Sequence, residues 1–102
     1  GVDITKFAYN TADNNLRMLV LSVENTGDGI AFCKAYSELT NIETGEQLSL
    51  GGKNYTILPG YQRNFQFELP AEFPKGKYSA VGVIDYDSDE EVVAAELDVT
   101  IE

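Results

Sequence analysis

Apolar and polar residues alternate along the last third of the chain with a period of two. Between residues 92 and 102 one set of alternate positions is apolar: Val93, Ala95, Leu97, Val99 and Ile101. From residue 96 onward the positions between them are polar: Glu96, Asp98, Thr100 and Glu102. Segment 61–69 shows the same alternation, with Phe65, Phe67 and Leu69 on one side and polar residues on the other. This period is typical of β-strands that have one face buried.

Short segments rich in β-branched and aromatic residues recur along the whole chain, separated by glycine, proline, asparagine and aspartate. This arrangement predicts an all-β protein. The predicted strands are 3–9, 16–25, 30–41, 47–50, 55–58, 61–69, 77–87 and 92–102. We count seven or eight strands. We predict a single domain over residues 1–102, either a β-sandwich or a β-barrel.

The segment "FPKGKYSAVGV" places a tyrosine directly after a loop that contains proline and glycine. Many Ig-like sandwiches have a tyrosine at this corner, whose hydroxyl bonds to the backbone a few residues upstream. Tyr78 is therefore a candidate structural residue. With this corner the predicted fold class is an Ig-like antiparallel β-sandwich of 7–8 strands. Because successive side chains of a strand point to opposite faces, Ala80, Gly82 and Ile84 are expected to point inward with Tyr78. Val81 and Val83 are expected to point outward.

The chain of 102 residues has a net charge of −10, with 17 acidic and 7 basic residues. Such a surface repels phosphate backbones and anionic lipid headgroups, so we expect neither nucleic-acid nor membrane-surface binding. No apolar run approaches the roughly 20 residues of a membrane span. The single cysteine, Cys33, excludes an intrachain disulfide. Its apolar neighbours in "IAFCKAY" predict a small buried side chain.

The chain contains no histidine, which excludes Ser-His-Asp and Cys-His catalytic arrangements. It also has no glycine-rich loop with the lysine of a P-loop. Catalysis would have to use carboxylates alone, and these require a shaped cleft. We therefore expect no enzymatic activity, no catalytic residues and no bound cofactor.

The stretch "IDYDSDEEVVAAE" has two interpretations. Asp85, Asp87 and Asp89 match the first, third and fifth positions of an EF-hand calcium loop. However, Glu90 stands where that loop requires glycine, and both flanks are predicted strands instead of helices. We therefore interpret the stretch as the polar tip of a hairpin. A weak calcium site at the three aspartates is the alternative.

Three strings resemble bacterial Ig-like modules of cell-envelope proteins: "VENTGDG", "LPGYQRNFQFELP" and the segment from "FPKGKY" to the end. In particular they resemble the Ig-like domain of periplasmic fimbrial-chaperone-like proteins. The resemblance implies a non-catalytic module in the periplasm or outside the cell, linked to fimbria assembly or adhesion. The basic anchoring residues of such chaperones lie in a domain that this chain does not match, so a chaperone activity is not implied.

Three functions stay open at this stage. An interaction or accessory module would bind a protein partner or a neighbouring domain of the same chain, with Val81 and Val83 as candidate contacts. A carbohydrate-binding module would use exposed aromatic residues, for which Tyr55, Tyr61 and Tyr86 are candidates. A structural spacer next to an enzyme domain would need no site. Because residue 1 is glycine, we expect the chain to be one domain of a longer protein.

Overall fold

The computed structural model describes residues 1–12, 14–86 and 92–102. Among them there is no helix long and apolar enough to span a membrane. The described residues form seven β-strands: β1 (Val2–Thr11), β2 (Arg17–Asn25), β3 (Ala31–Asn41), β4 (Gln47–Ile57), β5 (Gln62–Glu68), β6 (Gly76–Tyr86) and β7 (Val92–Ile101).

The strands form two antiparallel sheets, which confirms the predicted β-sandwich. The first sheet has the order β1-β2-β5, and the second has the order β4-β3-β6-β7. The fourth strand therefore pairs with β3. In Ig domains of the constant type the fourth strand instead joins the sheet of the first, second and fifth. This placement widens the second sheet to four strands and gives it the larger outer face.

The prediction of two separate strands at 47–50 and 55–58 is wrong, because β4 runs continuously through both. Its pairing with β3 shifts between Ala35 and Ser37, which lie opposite Lys53 and Leu50. Two glycines, Gly51 and Gly52, thus occupy the space opposite a single residue of β3. This is a β-bulge, in which an extra residue is absorbed without ending the strand.

The core lies between the sheets and is built from the alternate residues that the pattern predicts. Phe65 and Phe67 of β5 are buried, Val99 of β7 is buried, and Leu97 packs against them from a half-buried position. Small residues on β6 leave room for this packing. A Cβ atom on Gly82 would lie 3.0 Å from Cδ1 of Leu21.

One end of the sandwich is closed by Tyr78 at the start of β6. Its ring is buried, and its hydroxyl donates a hydrogen bond of 2.8 Å to the carbonyl oxygen of Pro74. The ring of Phe73 packs against it with centroids 5.3 Å apart. The loop between β5 and β6 is therefore held to the core by an aromatic pair and a hydrogen bond.

The opposite end is organised by Asn25, the last residue of β2, whose side chain is only 1% exposed. Its amide donates to the carbonyl oxygens of Gly29 at 2.8 Å and Ile57 at 2.9 Å. Its side-chain oxygen accepts from the backbone N–H of Gly27 at 2.9 Å. Its own backbone bonds to Tyr61 and Gly60. One residue thus connects the β2–β3 loop with the β4–β5 loop.

Candidate functional site

The outer face of the four-stranded sheet carries an apolar surface that no part of the described chain covers. It consists of residues that point away from the core on three adjacent strands. We call it the outer-face patch: Tyr36 of β3, Val81 and Val83 of β6, and Val92 and Ala94 of β7.

The strand register brings these residues together. Tyr36 lies opposite Val83, and Val83 lies opposite Ala94, so the three form a continuous row across β3, β6 and β7. Directly opposed residues on one face have Cβ atoms about 4.5–5.5 Å apart, which is contact distance for their side chains. Tyr36 is 43% exposed and Val92 is 59% exposed.

Charged residues surround the row. On one side Val81 lies between Glu38 of β3 and Glu96 of β7. On the other side Lys34 lies opposite Asp85. These charged side chains are all exposed. Glu38 and Glu96 have no directly opposed cation, whereas Lys34 and Asp85 offset each other. These four charged residues form the rim of the patch, and its charge is negative on balance.

The patch contains both valines that the sequence analysis placed on the outward face. Tyr36, Val92 and Ala94 were missed, although the signal is present in the alternation. In "AFCKAYSEL" Tyr36 has the opposite parity to Cys33, and Ala94 has the opposite parity to Val93. A strand pattern assigns each residue to a face. It does not show which other strands extend that face.

The polar hairpin tip and the alternative calcium site both fall largely outside the described residues. Asp85 is an exposed residue near the end of β6, while Asp87 and Asp89 lie in the segment that is not described. Within residues 1–12, 14–86 and 92–102 no group of three or more Cys, Asp or Glu side chains is arranged to hold a metal ion.

Two of the three tyrosines proposed for carbohydrate binding face the core. Cys33 lies opposite Tyr55 on β4 and opposite Tyr86 on β6, so all three share the inner face. The ring of Tyr55 packs on Phe65 with centroids 4.9 Å apart, and the guanidinium of Arg63 lies 4.1 Å from its centroid.

The ring of Tyr55 is thus in contact with two residues of β5, Phe65 and Arg63. Tyr61 is 63% exposed and lies in the β4–β5 loop. The three residues therefore do not form the coplanar exposed surface on which a sugar ring would stack. The inner-face row also contains Cys33, which is buried between its two tyrosine neighbours.

A cleft of about 340 Å³ opens beside the β4 bulge. It is lined by Leu50, Gly51, Gly52, Lys53, Phe67 and Glu68. The one aromatic ring, Phe67, is almost fully buried and offers little surface to a ligand. The cleft contains a single carboxylate, whereas glycoside hydrolysis by the usual mechanism uses a pair.

A second exposed apolar group lies on the loops at the end organised by Asn25. It consists of Ile30 in the β2–β3 loop, with Leu58 and Tyr61 in the β4–β5 loop. These residues lie on two separate loops, which Asn25 connects through its hydrogen bonds. Unlike the outer-face patch, they are not aligned in one plane by a strand register.

No family model matches this sequence, and no curated protein matches it significantly. Solved structures share its fold. DesR, a β-glucosidase from Streptomyces venezuelae in complex with D-glucose, superposes with a TM-score of 0.68 at 8% identity. A β-glucosidase from Kluyveromyces marxianus in complex with glucose superposes with a TM-score of 0.59 at 14% identity.

In both cases the whole of this chain is covered, but the chain spans only 15% and 14% of those two proteins. At such low identity the likeness shows the fold alone. It establishes that sandwiches of this architecture occur as small parts of much larger polypeptides.

Proposed function

We propose that this domain is a non-catalytic accessory module that adjoins a larger catalytic domain. The observation that carries the proposal is the coverage in the structural comparisons. The complete chain corresponds to about one-seventh of each of two glucose-bound β-glucosidases. A glycoside hydrolase is accordingly the first class of catalytic domain to test as its neighbour.

The chemistry of the chain supports a non-catalytic role. The sequence has no histidine, and the described residues hold no cluster of metal ligands. The cleft beside the β4 bulge has one carboxylate, Glu68, and one cation, Lys53. In contrast, the outer face of the second sheet carries the apolar outer-face patch at positions where a free-standing sandwich is usually polar. Such a surface suits contact with another protein domain.

Two parts of the sequence-based expectation stay predictions. A location in the periplasm or outside the cell, and a link to fimbria assembly or adhesion, depend only on the resemblance of the turn and corner segments. The carbohydrate-binding alternative loses its proposed surface, since Tyr55 and Tyr86 face the core.

The proposal is tested by comparing three proteins: the natural polypeptide that contains this chain, the same polypeptide without the residues numbered 1–102 here, and the isolated chain. Hydrolysis of p-nitrophenyl β-D-glucopyranoside is the first assay. We expect activity in the natural polypeptide and none in the isolated chain. Deletion should lower the melting temperature of the catalytic domain, because the apolar contact surface becomes exposed to water.

Two results would overturn the proposal. One is hydrolysis by the isolated chain at a rate above the enzyme-free control. The other is a natural polypeptide that contains no further folded domain, as judged by limited proteolysis and calorimetry. If a neighbouring domain is present but inactive on this substrate, a panel of other glycosides separates an error in the substrate class from an error in the module assignment.

A further inference from the structure

We infer that the outer-face patch is the surface by which this module docks on its neighbouring domain, and that the complementary surface has an apolar centre and a basic rim. The inference rests on the proposed function and adds the contact surface and the chemistry of the partner. Tyr36, Val83 and Ala94 form its central row.

The size of the patch fits a docking surface. A fully buried aromatic side chain removes about 150–250 Å² from water. The partly exposed Tyr36, together with the exposed Val92 and Ala94 and the partly exposed Val81 and Val83, therefore offers on the order of 200–400 Å² of apolar surface. The largest apolar patch on a typical monomeric domain covers about 300–600 Å² and is often functional, so this patch is of comparable size.

The fold does not need these residues to be apolar. The inner face of the same strands already supplies the core through Ala80, Ile84 and Val99. Antiparallel sheets with one solvated face usually show polar residues there. One row farther along the same sheet follows that rule, since Thr40 lies opposite Ser79 and Ser79 lies opposite Asp98. On the outward face of β3 the apolar surface extends beyond the patch to Phe32, which is 57% exposed.

The charge of the rim selects the partner. Glu38 and Glu96 flank Val81, and the whole chain has a net charge of −10. Two copies of this chain docked face to face would bring negative rims together without compensation, which opposes self-association. A partner with lysine or arginine around an apolar centre would instead form favourable pairs. The neighbouring domain, not a second copy, is therefore the occupant.

The exposed apolar group on the loops near Asn25 is a weaker candidate for the docking surface. Ile30, Leu58 and Tyr61 project from two separate loops and have no strand register that aligns them. A flat sheet face presents its side chains in fixed positions, which lowers the entropy lost on docking. Tyr61 also provides an internal reference, because it is an exposed tyrosine outside the patch.

Hydroxyl-radical footprinting of the two tyrosines tests the inference. The oxidation rates of Tyr36 and Tyr61 are measured in the isolated chain and in the natural polypeptide. Since the centre of a protein interface excludes water, we expect Tyr36 to be oxidised at least about fivefold more slowly in the natural polypeptide. The rate for Tyr61 should change less than about twofold, because it stays in contact with water.

Matched variants test the apolar centre and the rim separately. Ala94→Glu should restore the oxidation of Tyr36 in the natural polypeptide, whereas Ile42→Glu should not, since Ile42 is exposed in the β3–β4 turn. Glu96→Lys should also reduce the protection, because it places a cation against the basic rim of the partner. Glu43→Lys, in the same turn as Ile42, is the charge control. Sedimentation equilibrium of the isolated chain should give a monomer.

The outcomes separate this inference from the proposed function. If a neighbouring domain exists and Tyr36 stays unprotected, or Tyr61 is protected in its place, the inference is wrong and the proposed function stands. If Glu96→Lys strengthens the protection of Tyr36, the partner surface does not have a basic rim, and that part of the inference is wrong. A dimer of the isolated chain that Ala94→Glu dissociates would identify a second copy as the occupant. If the natural polypeptide has no other folded domain, both conclusions fail.

Discussion

Asn25 and Ile57, the last residues of β2 and β4, are joined by a hydrogen bond of 2.9 Å from a side-chain amide to a backbone carbonyl. The two strands belong to different sheets. The bond therefore fixes the sheets to each other at one end of the sandwich. Because the amide is buried, its polar atoms must find partners inside the protein, and they do so in Gly27 and Gly29 of the β2–β3 loop and in Ile57 at the end of β4.

We expect Asn25→Ala to lower the free energy of unfolding by about 2–4 kcal/mol, since it leaves buried carbonyl groups without a donor. Asn25→Asp should be at least as damaging, because it would place a carboxylate against two carbonyl oxygens. Asn54→Ala, at an exposed position of β4, should change stability by less than about 0.5 kcal/mol. Urea denaturation followed by circular dichroism measures all three. Equal stability of the Asn25 and Asn54 variants would contradict the role of this residue.

Tyr78 supports the opposite end through its ring and its hydroxyl. Tyr78→Phe removes only the hydrogen bond to Pro74, and we expect a loss of about 1 kcal/mol. Tyr78→Ala also empties part of the core beside Phe73 and should cost about 3–5 kcal/mol. Tyr61→Phe is the matched control, because Tyr61 is exposed and should show no measurable change. If the two Phe variants are equally stable, the hydroxyl of Tyr78 contributes nothing.

Gly82 and Gly51 should respond to alanine in opposite directions. At Gly82 the new methyl group would lie 3.0 Å from Leu21 and 3.2 Å from Phe7, so we expect a loss of about 1–2 kcal/mol from overpacking. At Gly51 nothing lies within 4 Å of the new methyl group, and φ is not positive. Alanine there should stabilise the protein by about 0.4–1 kcal/mol, because it restricts the unfolded chain. Thermal unfolding compares the two, and a stabilising Gly82→Ala would show that Phe7 and Leu21 can move aside.

Cys33 should react with a thiol reagent only when the sandwich opens. Its side chain is buried on the inner face between β4 and β6. We expect labelling by 5,5′-dithiobis(2-nitrobenzoic acid) to be at least about a hundredfold slower in buffer than in denaturing urea. The control is Ser49→Cys combined with Cys33→Ala, which exposes a thiol on β4 and should react at once in buffer. Rapid labelling of native Cys33 would show that this part of the sheet opens readily.

The strand pattern anticipates most of the secondary structure. The predicted segments 30–41, 61–69, 77–87 and 92–102 match β3, β5, β6 and β7 to within one residue at each end. The exception is β4, where "GGKN" was taken as a break. Glycines in that position are typical of a turn between strands, and only the pairing with β3 makes them a bulge.

The candidate site was anticipated only in part. Val81 and Val83 were placed outward correctly because their parity is opposite to that of the buried Ala80 and Ile84. The proposed tyrosine group was wrong because aromatic residues near a strand end can point to either face. The pairing of Cys33 with both Tyr55 and Tyr86 assigns those two to the inner face. Asn25 gave no sequence signal beyond a turn residue, since its partners Ile57, Gly60 and Tyr61 lie more than 30 residues away along the chain.

The sequence by itself determined the class of fold and the inward and outward positions of β5 and β7, because alternation with period two records which side chains avoid water. It could not determine which strands lie side by side. Every inner face is apolar in the same way, so the pattern does not distinguish β3 from β5 as the neighbour of β4. The tertiary structure decided that pairing through backbone hydrogen bonds and loop contacts. By doing so it aligned Tyr36, Val83 and Ala94 into a single exposed row.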